Sequence, residues 1–113
     1  MEIAGIRARV ITSIYFLATK LAAFKGRGHD DYRGSHDLED VITVIDGRPE
    51  IVDEVRNAPP NVRDYIASET RRLLDARAFV DVLPGFLLPD AASQARYPIV
   101  RERLNALARR QSI

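Results

Sequence analysis

The chain has 113 residues, of which 46% are hydrophobic and 29% are charged, as expected for one globular domain over residues 1–113. Cysteine is absent, which excludes disulfides and thiolate metal sites, and no apolar run approaches the ~20 residues of a membrane span. The 17 basic and 16 acidic residues leave a net charge of +1, which does not suggest a nucleic-acid-binding protein as a whole. No secretory signal pattern opens the sequence, so a cytoplasmic protein is expected.

The first segment, residues 3–12, predicts a short strand, because apolar and polar side chains alternate from Ile6 to Val10. A lone strand needs a neighbour to pair its backbone groups, and no second strand pattern follows. We therefore expect residues 3–12 to form a contact with a second copy of the chain or with a partner protein.

Helical spacing predicts about five helices after this strand. The first covers residues 13–25 with Ser13 as its N-cap, and Gly26 and Gly28 end it. A polar loop then leads to a second helix, which either Ser35 or Asp37 caps and Asp46-Gly47 ends. The apolar residues on its buried face are predicted to be Leu38, Val41, Ile42 and Ile45.

A third helix is predicted between Pro49 and Pro59-Pro60, and Asn61 is expected to cap a long fourth helix. An apolar loop, Phe86-Leu87-Leu88, precedes the last helix, which runs roughly from residue 99 to 110. The inward residues of the fourth helix are predicted to be Val62, Tyr65, Ile66, Leu73, Leu74 and Ala78. Those of the last helix are predicted to be Val100, Leu104 and Leu107. The fold class is mainly α: a helical bundle with one short N-terminal strand.

The end of the chain is basic. Between residues 94 and 113, Glu102 is accompanied by five arginines, which are Arg96, Arg101, Arg103, Arg109 and Arg110. Such a segment attracts phosphates, for example those of RNA. Cations also suit the C-terminal end of a helix dipole, and this structural interpretation is favoured when the pattern is taken alone.

Two groups of charged residues are candidates for chemistry. Lys20 lies four residues from both Phe16 and Phe24, so its ammonium should emerge at the edge of the core, where it could neutralise a phosphate or simply extend over apolar surface. Asp37 and Asp40 are three residues apart at a helix start, on the side opposite Leu38, Val41 and Ile45. Such a pair could orient a nucleophile, act as a base or help to hold Mg²⁺, but acids in a first turn also stabilise the helix dipole.

The loop before the second helix contains His29, Asp30, Asp31 and His36, which together with Asp37 could suggest a metal-dependent hydrolase. The two histidines are seven residues apart across a glycine-containing loop, a spacing that matches no zinc site. No metal ligand is therefore assigned, and this hydrolase is the least favoured function.

Two stretches in order, FLATKLAAF (residues 16–24) and SHDLEDVITVIDGR (residues 35–48), resemble the AbiEii/AbiGii-type nucleotidyltransferases. That family belongs to the DNA polymerase β-like nucleotidyltransferase superfamily and includes toxins of type IV toxin–antitoxin and phage-defence systems. The similarity covers residues 10–56 well and the remainder loosely.

The resemblance implies that Lys20 contacts the nucleotide or its phosphates and that Asp37 and Asp40 complete the catalytic site, with Asp40 preferred as the base. It also implies an N-terminal half with a Gly-Ser turn and a D-x-D strand that binds Mg²⁺, which this chain does not contain. Gly34-Ser35 looks like that turn, but the acids follow it at once on a predicted helix, so it is not counted as the motif.

Two functions follow from these observations. The first is the C-terminal helical part of a nucleotidyltransferase that moves a nucleoside monophosphate from an NTP to an RNA or protein hydroxyl. It would need Mg²⁺ and NTP together with the N-terminal half, and it would have little activity alone, because phosphoryl-type transfer depends on metal clamps and positioning. The alternative is a noncatalytic interaction module that forms a homo-oligomer or binds a partner protein through residues 3–12 and the Phe86-Leu87-Leu88 loop.

Overall fold

A computed structural model describes the backbone of residues 2–27 and 31–109 and the side chains of residues 12–26 and 31–109. Within these ranges the protein is mainly helical and contains no strand. The α-helices are α1 (Glu2–Arg27), α2 (His36–Gly47), α3 (Ile51–Arg56), α4 (Pro60–Asp75), α5 (Arg77–Val82), α6 (Ala91–Gln94) and α7 (Tyr97–Ala108), with a 3₁₀ turn at Leu83–Phe86.

Residues 3–12 are helical in the structure, which corrects the predicted strand. They form the first part of α1, so Ser13 lies inside that helix and is not its N-cap. The apolar positions Ile3, Ile6 and Val10 precede Ile14 at intervals of three and four, which fits a helix at least as well as the five-residue alternation fits a strand. The proposed contact through an unpaired strand edge therefore loses its basis, and the side chains of residues 3–11 lie outside the described ones.

The core forms where α2 packs against α1 and α7, and α4 packs against the same two helices. Ser35 is the N-cap of α2, because its Oγ accepts a hydrogen bond from the Leu38 backbone N–H at 3.1 Å. The four apolar residues predicted for the inner face of α2 are all fully buried. The buried face of α2 is therefore the one that its sequence predicts.

The long fourth helix begins and ends differently from the prediction. It starts at Pro60, and Pro59 is the cap residue before it. Proline suits the first helical position because the backbone N–H that it lacks would have no partner within the helix. It ends at Asp75, and the extended backbone of Ala76 separates it from α5. This break leaves Ala78 exposed and places Phe79, which the sequence pattern did not select, fully inside the core.

The C-terminal third closes the bundle. Leu87 is buried and Leu88 is exposed, so the apolar loop is only partly a surface feature. The Gln94 side-chain amide donates hydrogen bonds to the carbonyls of Pro84 at 3.1 Å and Leu88 at 3.0 Å, which holds the loop against α6. Helix α7 begins two residues earlier than predicted and buries Val100, Leu104 and Leu107, as predicted. Across the described residues, no helix is both long and apolar enough to cross a membrane.

Candidate functional site

The structure brings Lys20, Asp37 and Asp40 together where α1 packs against the start of α2. The Lys20 Nζ lies 2.8 Å from Asp40 Oδ2 and 3.7 Å from Asp37 Oδ1. Asp37 and Asp40 follow the lysine by 17 and 20 positions in the sequence, so helix packing creates the cluster. We call these three residues the lysine–aspartate cluster.

The position of Lys20 follows from the apolar face of α1. Ile14, Leu17 and Leu21 point into the core, and Lys20 is adjacent to that stripe, so its stem leaves the core edge at the α2 side. Its ammonium also lies 5.4 Å from the centre of the Phe16 ring, within the range of a cation–π contact. The ammonium is thus held at the rim of the core, as the spacing predicted.

The two carboxylates have different surroundings. The Asp40 side chain is 43% exposed, whereas that of Asp37 is only 11% exposed. The prediction that both lie on the side away from the core is therefore wrong for Asp37, because α1 covers the first turn of α2 on that side. Asp37 is suited to hold the lysine in place, and Asp40 is accessible to a group that arrives from solvent.

A magnesium ion does not fit these residues alone. In the part of the chain that the structure describes, no three side chains of the ligand-forming types lie together as a metal site would need. The two carboxylates already face one ammonium, which competes with a cation for the same oxygens. The lysine–aspartate cluster by itself therefore lacks the ligand set of a magnesium site.

Gly34 and Ser35 serve the turn that leads into α2. The Gly34 backbone N–H donates to Asp31 Oδ1 at 3.0 Å, and a Cβ at Gly34 would come within 2.6 Å of Asp31 Oδ2. With Ser35 acting as the helix cap, both residues have local structural roles. His36 is exposed and its Nδ1 lies 3.4 Å from Glu39 Oε2, while His29 and Asp30 lie outside the described residues.

Arg48, which ends the second stretch of the resemblance, is held by α3. Its guanidinium donates to both carboxylate oxygens of Glu54, at 2.6 and 2.7 Å. This bidentate hydrogen bonding raises the pKa of Arg48, although burial acts in the opposite direction. Arg48 therefore fastens the end of α2 to the next helix.

Most of the arginines in and next to α7 bind other groups of the protein. Arg103 Nη1 donates to the carbonyls of Ile45 at 2.7 Å and Asp46 at 2.9 Å, and Arg96 Nε contacts Asp46 Oδ1 at 2.5 Å. Both therefore bind the C-terminal end of α2, where the helix dipole favours positive charge. Arg101 contacts the Tyr97 hydroxyl at 3.2 Å, Arg109 is exposed, and Arg110 lies outside the described residues. The surface available to an RNA acceptor is smaller than the count of arginines suggests.

A second feature, which sequence reasoning missed, is a pocket of about 270 Å³ between α1 and α4. Its walls combine apolar and aromatic side chains with three charged ones: Leu21, Phe24, Tyr32 and Leu73, with Lys25, Glu69 and Arg72. Glu69 lies three residues after Ile66 and four before Leu73, so it falls on the buried stripe of α4. A charged residue at that register is the sequence signal that could have revealed the pocket.

The Glu69 carboxylate influences its surroundings. Burial raises the pKa of the Tyr65 hydroxyl, and the negative charge of Glu69, one helical turn away, raises it further. The positive charge of Arg72 acts in the opposite direction.

Comparison of the chain with protein families, with curated proteins and with solved structures finds no match. The class that the structure itself defines is an all-helical bundle with two charged features, the lysine–aspartate cluster and the pocket around Glu69.

Proposed function

We propose that this domain supplies the helical part of a nucleotidyltransferase active site and binds the phosphates of an NTP through Lys20. The observation that carries the proposal is that both carboxylates approach the Lys20 Nζ, Asp40 at 2.8 Å and Asp37 at 3.7 Å. These are the residues that the similarity of FLATKL and HDLED to the AbiEii/AbiGii-type enzymes selects, and the two stretches lie on different helices.

Each residue of the cluster has a role that fits its exposure. Lys20 offers a point charge to a phosphate, and the nearly buried Asp37 acts as a positioning residue for that lysine. In the transfer step an RNA or protein hydroxyl attacks the α-phosphorus, the bond to the β-phosphate breaks, and pyrophosphate leaves. Asp40, the more exposed carboxylate, accepts the proton of the attacking hydroxyl.

The ion pair between Lys20 and Asp40 is compatible with phosphate binding because it is partly exposed. An exposed ion pair contributes roughly 0–1 kcal/mol, so a multiply charged phosphate can compete with Asp40 for the ammonium. Transfer needs Mg²⁺, which the family holds with its N-terminal half. The 113 residues alone are therefore expected to bind nucleotide without transferring it.

The test uses inorganic tripolyphosphate, which probes the phosphate site without a base. In calorimetric titrations Lys20→Ala should weaken binding by about tenfold or more, the effect of losing a hydrogen bond to a charged group. Asp40→Asn should strengthen it several-fold, because the competing carboxylate is removed. Arg77→Ala is the matched control, since it also removes one cation but belongs to neither charged feature and has a side chain that is 92% exposed.

Lys20→Ala and Asp40→Asn are expected to change the tripolyphosphate affinity in opposite directions, which a purely structural cluster would not produce. If the cluster only joins α1 to α2, neither variant should differ from Arg77→Ala in tripolyphosphate affinity. Absence of binding by the unmodified chain at millimolar tripolyphosphate would also overturn the proposal.

A second candidate function, a noncatalytic interaction module, is favoured by one observation. Tyr15 and Phe16 are adjacent large side chains on α1 that remain exposed, and Leu88 is exposed elsewhere. Sedimentation equilibrium tests this candidate: self-association that Tyr15→Ser weakens would support it, and a monomer at high concentration with no co-purifying protein would count against it.

A further inference from the structure

The pocket between α1 and α4 has an acceptor at its inner end and cations at its rim. The Glu69 side chain is only 7% exposed, whereas those of Lys25 and Arg72 are 48% and 62% exposed. The pocket volume of about 270 Å³ is close to the lower end of the range of small-molecule sites, about 300–1,000 Å³. A small planar group, and not a large ligand, fits such a space.

The carboxylate of Glu69 retains capacity to accept hydrogen bonds. Its two ion pairs are long, at 3.5 Å to Lys25 Nζ and 3.9 Å to Arg72 Nη2. Good hydrogen bonds of this kind measure about 2.7–3.2 Å, so neither cation binds the carboxylate tightly. A nearly buried carboxylate is stable only when it is well paired, and a ligand with N–H donors would complete its hydrogen bonding.

The side walls suit a flat, aromatic ligand. The Phe24 and Tyr32 rings lie 5.3 Å apart at an interplanar angle of 39°, with Leu21 and Leu73 also lining the space. Tyr32 is supported from behind by Phe79, at 6.2 Å, so this wall is continuous with the core. Nucleic-acid bases stack on aromatic side chains of this kind.

The pocket is next to the lysine–aspartate cluster. Phe24 follows Lys20 by one helical turn, which is a rise of about 6 Å along α1, and the two residues share a stripe of the helix. A ligand with its flat group against Phe24 can therefore extend along α1 toward the Lys20 ammonium.

We infer that this pocket binds the base of the nucleotide whose phosphates contact Lys20, with Glu69 accepting from an exocyclic amino group of that base. The inference rests on the proposed function. It names the preferred substrate class as nucleotides with an amino-bearing base, because adenine, guanine and cytosine present such donors. Uracil presents carbonyl oxygens on both sides of its ring N–H, and these would face the carboxylate unfavourably.

CTP and UTP are the matched pair of ligands for the test, since their bases differ mainly at the amino-bearing carbon. In titrations of the full chain CTP should bind about tenfold more tightly than UTP, the effect expected for one hydrogen bond to a charged group. Glu69→Gln should bring the two affinities to within about twofold, because an amide both donates and accepts hydrogen bonds. Glu102→Gln, an exposed acid on α7, is the control and should leave the tenfold ratio unchanged.

A measurement on the unmodified chain tests the inference even if the Glu69 variant does not fold. Backbone amide shifts that CTP produces, and tripolyphosphate does not, should fall on Leu21, Phe24, Tyr32 and Leu73. Equal affinity for CTP and UTP, or shifts by CTP that miss these residues, would overturn the inference even if tripolyphosphate still binds at Lys20. If tripolyphosphate fails to bind but CTP still shifts the pocket residues in a Glu69-dependent manner, the proposed phosphate site falls and the base pocket is retained.

Discussion

Lys20 on α1 lies 3.7 Å from the carboxylate of Asp37 on α2, and that carboxylate is only 11% exposed. The same ammonium is closer to Asp40, at 2.8 Å, but Asp40 is 43% exposed. Coulomb interactions strengthen as water is excluded, so exposure matters as much as distance for the energy of each pair. The longer ion pair, between Lys20 and Asp37, is therefore the one better shielded from water.

The first prediction concerns the stability of this cluster. Lys20→Met keeps the length of the side chain but removes its charge beside a nearly buried carboxylate, which should lower the free energy of unfolding by about 1–3 kcal/mol. A double-mutant cycle with Asp37→Asn should give a larger coupling energy than a cycle with Asp40→Asn, for which about 0.2–1 kcal/mol is expected. Urea denaturation measures the free energy of unfolding and both coupling energies. A larger coupling energy for Asp40 than for Asp37 would contradict the prediction that the shielded pair is the stronger one.

The second prediction concerns the end of α2. Arg103 donates to two backbone carbonyls there, those of Ile45 and Asp46. Arg103→Ala leaves these carbonyls without that donor and should destabilise the protein by about 1–3 kcal/mol. Arg77→Ala, on an exposed surface of α5, should change the stability by less than about 0.5 kcal/mol. Equal effects of the two variants in thermal or urea unfolding would show that the Arg103 contact is not stabilising.

The buried face of α2 and the position of Lys20 could be predicted because each depends on the spacing of residues within one helix. The spacing of Leu38, Val41 and Ile45 identifies the inner face of α2, and the position of Lys20 beside an apolar stripe places its ammonium at the core edge. Both inferences need only the period of one helix.

The remainder depends on how helices pack, which no local pattern encodes. The burial of Asp37 arises because α1 covers the first turn of α2, and the use of Arg103 arises because α7 lies beside the C-terminal end of α2. The predicted strand over residues 3–12 is wrong for a different reason. The alternation from Ile6 to Val10 covers only five residues, whereas the apolar positions at helical spacing continue to Leu21.

The third prediction tests the break between α4 and α5. Phe79 is fully buried, so Phe79→Ala should destabilise the protein by about 3–5 kcal/mol. Ala78 is exposed, so Ala78→Glu should alter the stability by less than about 0.5 kcal/mol. If α4 instead continued without a break, Ala78 would face the core and its glutamate variant would be strongly destabilised. Chemical denaturation of the two variants distinguishes these arrangements.

The last prediction follows from the raised pKa of Tyr65. Burial and the charge of Glu69 favour the neutral hydroxyl in the folded protein, so its folded pKa lies above the value of about 10 for an unfolded chain. In the interval between the two values the folded state holds more protons than the unfolded state, and stability falls as the pH rises. The contribution of Tyr65 is thus present below about pH 10 and is lost as the pH rises through the folded pKa.

Between about pH 9 and pH 11, the unmodified protein should lose more stability than Tyr65→Phe, which retains the other tyrosines. Urea unfolding at each pH measures the difference, and identical losses in the two proteins would show that Tyr65 titrates alike in the folded and unfolded states.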